Sequence, residues 1–320
     1  MLIKHLIKHF LWEPIRDYRD PYYKNRFLKL VGDPSSLQKL SPLDFYRSCS
    51  DEYFYWLIGR SGELGINLNG WIPPLPLPYM QKGWTGKVGK ETMREAFLFY
   101  RIVKQLTQKY AQPIDENTKV LDFGCGWGRV IRFFLKDVAA INLYGCDCFS
   151  DGLQAASEHI RGPNFVLNDT EPPLPYDDNS FDLIYLYSVF SHLSELAHMS
   201  WLDEFQRVLK PGGVLVATTR PREMIKIWSQ DHRKDLMLHP GAQQPFQDTE
   251  HFLKEYDRGS FCHSASGGDG PLSSSFYGES CIPKDYVLTH WSDKFTLKEY
   301  RLTDGQCNQN IICCKAKKDR

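Results

Sequence analysis

The chain has 320 residues, 42% of them hydrophobic, and its 39 Lys plus Arg are balanced by 39 Asp plus Glu. That is apolar material for a large core, which excludes disorder as the overall state, and the length suits about two domains or one enlarged one. The zero net charge lacks the basic excess of a dedicated nucleic-acid binder, so no nucleic-acid partner is evident.

Residues 1–90 read as a helical N-terminal extension that ends in a Pro-rich connector. Leu2, Ile3, Leu6, Ile7, Phe10 and Leu11 recur at helical spacing, with Lys4 and Lys8 opposite. Such a helix over residues 1–12 would pack on the rest of the protein or make a weak membrane-surface contact. No small-residue cleavage site follows it, and no apolar run approaches the ~20 residues that span a bilayer. Residues 71–78, WIPPLPLP, carry four prolines and predict an extended segment, since proline fixes φ and removes a donor. QKGWTGKVGK then reads as a glycine-punctuated loop. Residues 91–109 predict a strong helix, with Pro113 just past its end.

From Lys119 the pattern changes to strands alternating with helices. KVLDFG, INLYGCD, NFVLND, FDLIYLYSVF and GVLVATTR read as strands. GRVIRFFLKDV, DGLQAASEHI and SELAHMSWLDEFQRVLK read as helices, the last closed by Pro211-Gly212-Gly213. This alternation implies a parallel sheet with right-handed crossovers. Residues 264–275, SASGGDGPLSSS, form a small-residue loop. Nine cysteines without a CxxC pair predict reduced thiols, no metal site and a cytoplasmic location.

The most informative stretch is Val120-Leu121-Asp122-Phe123-Gly124-Cys125-Gly126-Trp127-Gly128-Arg129. A strand runs into GxGxG and on into a helix. Glycines let the backbone turn sharply and let a ligand approach closely, and the helix start adds a favourable field. The spacing is not the GxGxxG of dinucleotide enzymes, which disfavours an NAD-dependent oxidoreductase. Asp122 precedes the first glycine by two residues. Asp147 ends the next strand about 20 residues on, where a ribose diol would be held.

The stretch from Lys119 to about Arg220 resembles the class I S-adenosylmethionine-dependent methyltransferases, with a type 11/25-like core. VLDFGCGWGR is similar to the family's first motif and LYGCD to its second. FVLNDTEPPLPYDDNSFDLIYLYSVFSHL and FQRVLKPGGVLVATT are similar to the segments of its third to fifth strands, and WSDKFTLKEYRL with NIICCKAK to its closing antiparallel pair. The resemblance implies an α/β, Rossmann-like sheet of seven mostly parallel strands with helices on both faces. Residues 91–320 would form the methyltransferase domain, with residues 221–290 inserted between the fifth and sixth strands and shaping the acceptor site.

The resemblance also implies roles. S-adenosyl-L-methionine would be the cofactor. Gly124, Cys125, Gly126 and Gly128 would face its methionine part, and Asp122 would orient that loop and reach the amino group through water. Asp147 would take the ribose hydroxyls, since one carboxylate accepts two hydrogen bonds. Cys148 and Phe149 would flank the adenine, and Asn168, Asp169 and Thr170 would meet its amino edge. Ser188 would line the methyl-donor end. The bland alternative is that these carboxylates only cap loops.

The cofactor brings its own leaving group, so the protein must position an acceptor and exclude water. A hydroxyl acceptor also needs a base, and His192, after the fourth strand, is the candidate, with Glu195 able to orient it. The bland alternative is a histidine that braces its loop. His263 and His290 read as packing or surface residues. No Asn-Pro-Pro-Tyr tetrad follows the fourth strand, where Tyr187-Ser188-Val189-Phe190 stands, which disfavours planar amino acceptors. Trp71, Tyr79, Trp84, Phe97 and Tyr100 before the core, and Trp228, Phe246, Phe261, Phe276 and Tyr277 after it, offer aromatic walls. The expected activity is methyl transfer to a small-molecule or glycan acceptor, at oxygen. The alternatives are a protein or RNA methyltransferase and a non-catalytic cofactor-binding scaffold.

Overall fold

The computed structural model describes residues 20–32, 41–60, 70–230, 244–268, 270–273, 275–303 and 307–317. The amphipathic segment 1–12 lies outside the described residues. A seven-stranded sheet organises the chain in the order β3-β2-β1-β4-β5-β9-β8. β1 (Val120–Phe123), β2 (Leu143–Asp147), β3 (Asn164–Leu167), β4 (Phe181–Leu186) and β5 (Leu209–Thr219) are parallel. β9 (Asn310–Ala316) is antiparallel to β5 and to β8 (Phe295–Arg301), as expected for the closing pair. β1 is buried at every position, which suits a central strand covered on both faces. The strand order reverses between β1 and β4, so their carboxyl ends diverge and open a crevice there.

Residues 220–294 form the insertion between the fifth and sixth strands of this sheet. It contains the helices Glu223–Gln230, Thr249–Asp257 and Lys284–His290, and a hairpin of β6 (Cys262–Ala265) and β7 (Gly278–Cys281). The segment around β7 runs beside the loop after β4. Gly278 N–H donates to His192 O at 2.7 Å, Ser280 N–H to Ser191 O at 2.8 Å, and Ser194 N–H to Phe276 O at 2.8 Å. The insertion is thus sewn onto the carboxyl edge of the sheet.

On the N-terminal side the helix Lys90–Tyr110 packs its apolar stripe against the sheet. Phe97, Tyr100, Phe133, Phe134 and Tyr185 form one chain of ring contacts 4.9–6.2 Å apart. The helices Pro42–Ser48 and Asp51–Arg60 join the same buried cluster. Ser41 caps the first of them, its hydroxyl accepting from Asp44 N–H, with Pro42 opening the helix.

Three local expectations need correction. Residues 81–85, read as part of a glycine loop, belong to a helix, Pro78–Thr85, that starts on proline and stops at left-handed Gly86. The helix expected over 128–138 is regular only at Ile131–Phe134, because β-branched and aromatic residues dominate it and turns flank it. Its single turn makes the expected helix-start field weak. Pro211-Gly212-Gly213 does not follow the helix directly but lies inside β5, where Gly212 has φ +81° and the β4 register shifts.

Arg132 fixes the proline connector to the glycine loop. Its fully buried guanidinium donates to Gly128 O at 2.9 Å, Pro74 O at 3.1 Å and Trp127 O at 3.3 Å, and it packs on the Trp127 ring. Proline segments have few donors of their own, so their carbonyls seek one elsewhere. Arg132→Met keeps the apolar stem but leaves these carbonyls unpaired. It should lower unfolding free energy in urea by about 2–4 kcal/mol.

Candidate active site

One cavity of about 800 Å³ opens at the carboxyl edge of the sheet. Asp122, Gly124, Cys125, Gly126, Asp147 and Cys148 line it, and so do Asn168, Asp169, Thr170, Ser188 and His192. The structure therefore brings together every sequence-predicted site residue except Gly128. Gly128 has φ +73°, but a Cβ there would lie 2.3 Å from Ile160 Cδ1, so its bareness serves packing behind the loop. Gly124 and Gly126 also have positive φ, and a Cβ on Gly124 would lie 2.4 Å from Val189 Cγ2.

Asp147 holds the loop in place. Its carboxylate accepts from Gly126 N–H at 2.7 Å and from Phe149 N–H at 2.9 Å. Burial raises its affinity for a proton, and the backbone N–H groups of Phe149, Gly126 and Cys148 oppose that. Four lone pairs minus these bonds still leave acceptor capacity facing the cavity. Asn168 N–H bonds Asp147 O at 3.1 Å, which places Asn168 beside it, and Asn168 Oδ1 has no hydrogen-bond partner among the described residues.

Asp122 is buried and its Oδ2 likewise has no hydrogen-bond partner. Burial pushes its carboxyl up from 3.8 to about 7; the Tyr185 hydroxyl works the other way and the Asp147 charge adds to the rise. An orphaned buried carboxylate oxygen beside a bare glycine loop fits a ligand amino group. The open hollow bordered by Gly124 and Gly126 and a second carboxylate with spare lone pairs fit the rest of an amino-acid nucleoside. The residues present therefore suit S-adenosylmethionine.

In the loop after β4, which also lines the cavity, Ser188 takes φ +62°, a strained backbone for a residue with a side chain. It is held by Ser188 N–H donating to Thr218 Oγ1 and by Gln309 Nε2 donating to Ser188 Oγ, both at 2.8 Å. His192 Nδ1 faces Gly278 O at 2.9 Å, with Glu279 Oε2 at 3.5 Å, and its ring stacks on Tyr277. A carbonyl only accepts, so Nδ1 carries the proton. Nε2 then offers a lone pair, and Arg220 Nη2 donates toward it at 3.4 Å.

Glu195 does not orient His192. Its Oε1 accepts from the Tyr286 hydroxyl at 2.6 Å, and Glu279 stands in the place expected for it. His263 bonds Ser280 and His290 stacks on Tyr286, both outside the cavity lining. Of the aromatic candidates, Tyr79, Trp84, Trp228, Phe276 and Tyr277 line the cavity, while Trp71, Phe97, Tyr100, Phe246 and Phe261 do not. Trp84 comes from the N-terminal side, lies 3.0 Å from a Cβ placed on Gly126, and meets Phe149 edge-on. Sequence reasoning missed Arg220 and Glu279, both in the cavity wall. A signal existed for Arg220, the first residue beyond the carboxyl end of β5. Among the described residues no group of three or more His, Cys, Asp or Glu is placed to hold a metal, and none of the nine cysteines forms a disulfide.

The raised Asp122 carboxyl sets a pH dependence. The folded chain keeps this proton up to about pH 7, whereas the unfolded chain loses it near 3.8. Between those values the folded state binds more protons, so this group's contribution to stability falls as pH rises and levels off above 7. A cationic amino group binds the ionised carboxylate, so S-adenosylhomocysteine should bind more tightly as pH rises toward 7. Calorimetry should show that rise in the wild type and its loss in Asp122→Asn.

Residues 121–217 match the family model of a methyltransferase domain. A fatty-acid O-methyltransferase of Mycolicibacterium smegmatis is 34% identical over 123 residues, 38% of this chain and 44% of that protein. A phosphoethanolamine N-methyltransferase of Plasmodium falciparum is 31% identical over 118 residues, 36% of this chain and 44% of that protein. This chain therefore spans less than half of either relative's length. A crystal structure of a Pyrococcus horikoshii OT3 protein is 19% identical, with a TM-score of 0.45, covering 68% of this chain and 91% of that one. Among the described residues no helix is long and apolar enough to cross a membrane. Residues 121–217 thus carry a methyltransferase domain, and the sheet around them has the strand arrangement that the resemblance to the class I S-adenosylmethionine-dependent methyltransferases implied.

Proposed function

We propose that the chain transfers a methyl group from S-adenosylmethionine to an oxygen of a small-molecule acceptor. The observation that carries this reading is that one cavity is lined both by Asp122, whose Oδ2 has no hydrogen-bond partner among the described residues, and by an oriented His192. Its volume of about 800 Å³ lies within the range of ligand pockets and suits two small ligands side by side. The relatives named for a fatty acid and for phosphoethanolamine support a small acceptor, and the first of them is named for oxygen transfer.

In this reading Asp122 holds the cofactor's amino group, the Gly124–Gly126 backbone borders its methionine part, and Asp147 takes the ribose hydroxyls. Cys148 and Phe149 flank the adenine, and Asn168, Asp169 and Thr170 meet its edge. When bound, the cofactor supplies an activated methyl whose carbon–sulfur electron pair stays on sulfur as the new oxygen–carbon bond forms. The chain's own work is positioning and proton removal. Ser188 borders the transfer point. Gly278 O and Glu279 hold His192 Nδ1–H, so that Nε2 receives the acceptor's hydroxyl proton. Trp84 on one side and Leu272, Phe276 and Tyr277 on the other keep water out.

The test is transfer of labelled methyl from the cofactor to a panel of fatty acids, phenols and sugar hydroxyls. With a hydroxyl acceptor, His192→Ala should lower kcat by about 10²–10⁴-fold and leave S-adenosylhomocysteine affinity within about two-fold. Asp147→Ala should do the reverse, losing cofactor affinity first. Absence of S-adenosylhomocysteine binding at millimolar concentration would overturn the reading.

A further inference from the structure

The cavity wall carries two guanidinium groups with different surroundings. Arg129 pairs with Glu95 at 3.2 Å and stacks on Tyr187. Arg220 stacks on Trp228, 4.9 Å from its ring centre, but among the described residues no carboxylate pairs with it. Among the described residues its Nε–H has no hydrogen-bond partner and its Nη2 meets the imidazole of His192. Glu279 sits at the opposite edge of that imidazole, by Nδ1. A half-buried cation that forms no ion pair among the described residues is costly unless an anion joins it.

An oxygen placed where His192 Nε2 and Arg220 Nη2 converge, 3.4 Å apart, is within reach of both. Resting on the methyltransferase reading above, we propose that the acceptor is a small oxygen acid, its anionic oxygen held by Arg220 while it is methylated. A neutral aliphatic alcohol has no use for the guanidinium, and an ammonium is repelled by it. Two sources share this chemistry. A carboxylic acid arrives already ionised and gives up no proton. An acidic phenol passes its proton to His192 Nε2. In both cases an oxygen lone pair forms the new bond to the methyl carbon, and the broken bond's electrons stay on sulfur. Leu272, Phe276 and Trp228 wall the same end and suit an apolar body behind the acid group.

The experiment measures binding to the full chain saturated with S-adenosylhomocysteine. The probes are octanoate, phenylacetate and 4-nitrophenol, with octanol and benzyl alcohol as their neutral counterparts. Acids should bind about ten-fold or more tighter than the alcohols, and Arg220→Gln should erase that preference. Arg220→Lys, which keeps the charge without the planar fork, should fall between them. Unchanged S-adenosylhomocysteine affinity in both variants shows that they are folded. Success of octanoate alone assigns the carboxylate source, and of 4-nitrophenol alone the phenol. Equal binding of acids and alcohols, an acid preference that survives in Arg220→Gln, or no acid binding below about 10 mM overturns the inference while the methyltransferase reading stands. Failure of S-adenosylhomocysteine itself to bind overturns both.

Discussion

The bond from Gly126 N–H to the Asp147 carboxylate is the constraint on which the site depends. It ties the turn after β1 to the end of β2, so two neighbouring strand ends share one geometry. A loop of bare backbone has many conformations to lose, and glycine loses the most. A charged acceptor, buried and aimed at one N–H, selects one of them. The same carboxylate also holds Phe149 N–H, and so fixes the start of the helix Ser150–His159. The hollow exists because its floor is pinned from below by Asp147 and closed from behind by Gly128 against Ile160.

How much of this was legible in the sequence follows from how local each part is. That Asp122, Gly124, Gly126 and Asp147 would meet at one turn was legible because strand, turn and next strand end lie within about 30 residues, and their spacing is set by one βαβ unit. The closing strand pair was readable because its two antiparallel strands are neighbours in the sequence. That Gly128 lies outside the cavity lining was not legible, because glycine has two uses, exposing backbone to a ligand and admitting a neighbouring side chain, and spacing does not separate them. The helix Pro78–Thr85 was missed because Gly83 and Gly86 were weighed as loop signals, whereas Pro78 at the start and Gly86 at the stop are helix punctuation. Glu279 was invisible because its meeting with His192 depends on the strand-like pairing of Tyr277 with Leu193, a register between segments more than 80 residues apart. Glu195, near in sequence, was the wrong partner for that reason.

The segments outside the matched core meet over the same cavity from opposite sides. The N-terminal part brings Trp84 across Gly126, and the insertion brings Gly270 against Phe149, where a Cβ would lie 2.4 Å from the ring. Phe149 is thus in contact with both. Arg132 binds the connector that carries Trp84 to the very turn that Trp84 covers, so the position of this wall is coupled to the loop beneath it.

The cavity wall carries charges of both signs: Asp122, Asp147 and Asp169 with Arg129 near the glycine loop, and Arg220 and His192 with Glu279 on the wall beyond β4 and β5. In the proposed reading the cofactor's ammonium is drawn to Asp122 and an acid acceptor to Arg220, each by pairing in a partly dry space where Coulomb forces are strong. If the acceptor is the acid proposed above, transfer of the methyl group would cancel its charge and that of the sulfonium together. The sulfonium would become a neutral thioether and the acid an ester or ether, and the site would then hold both products less firmly than the substrates. For an acid acceptor, the separation of charge that assembles the complex also favours its release once the reaction is done.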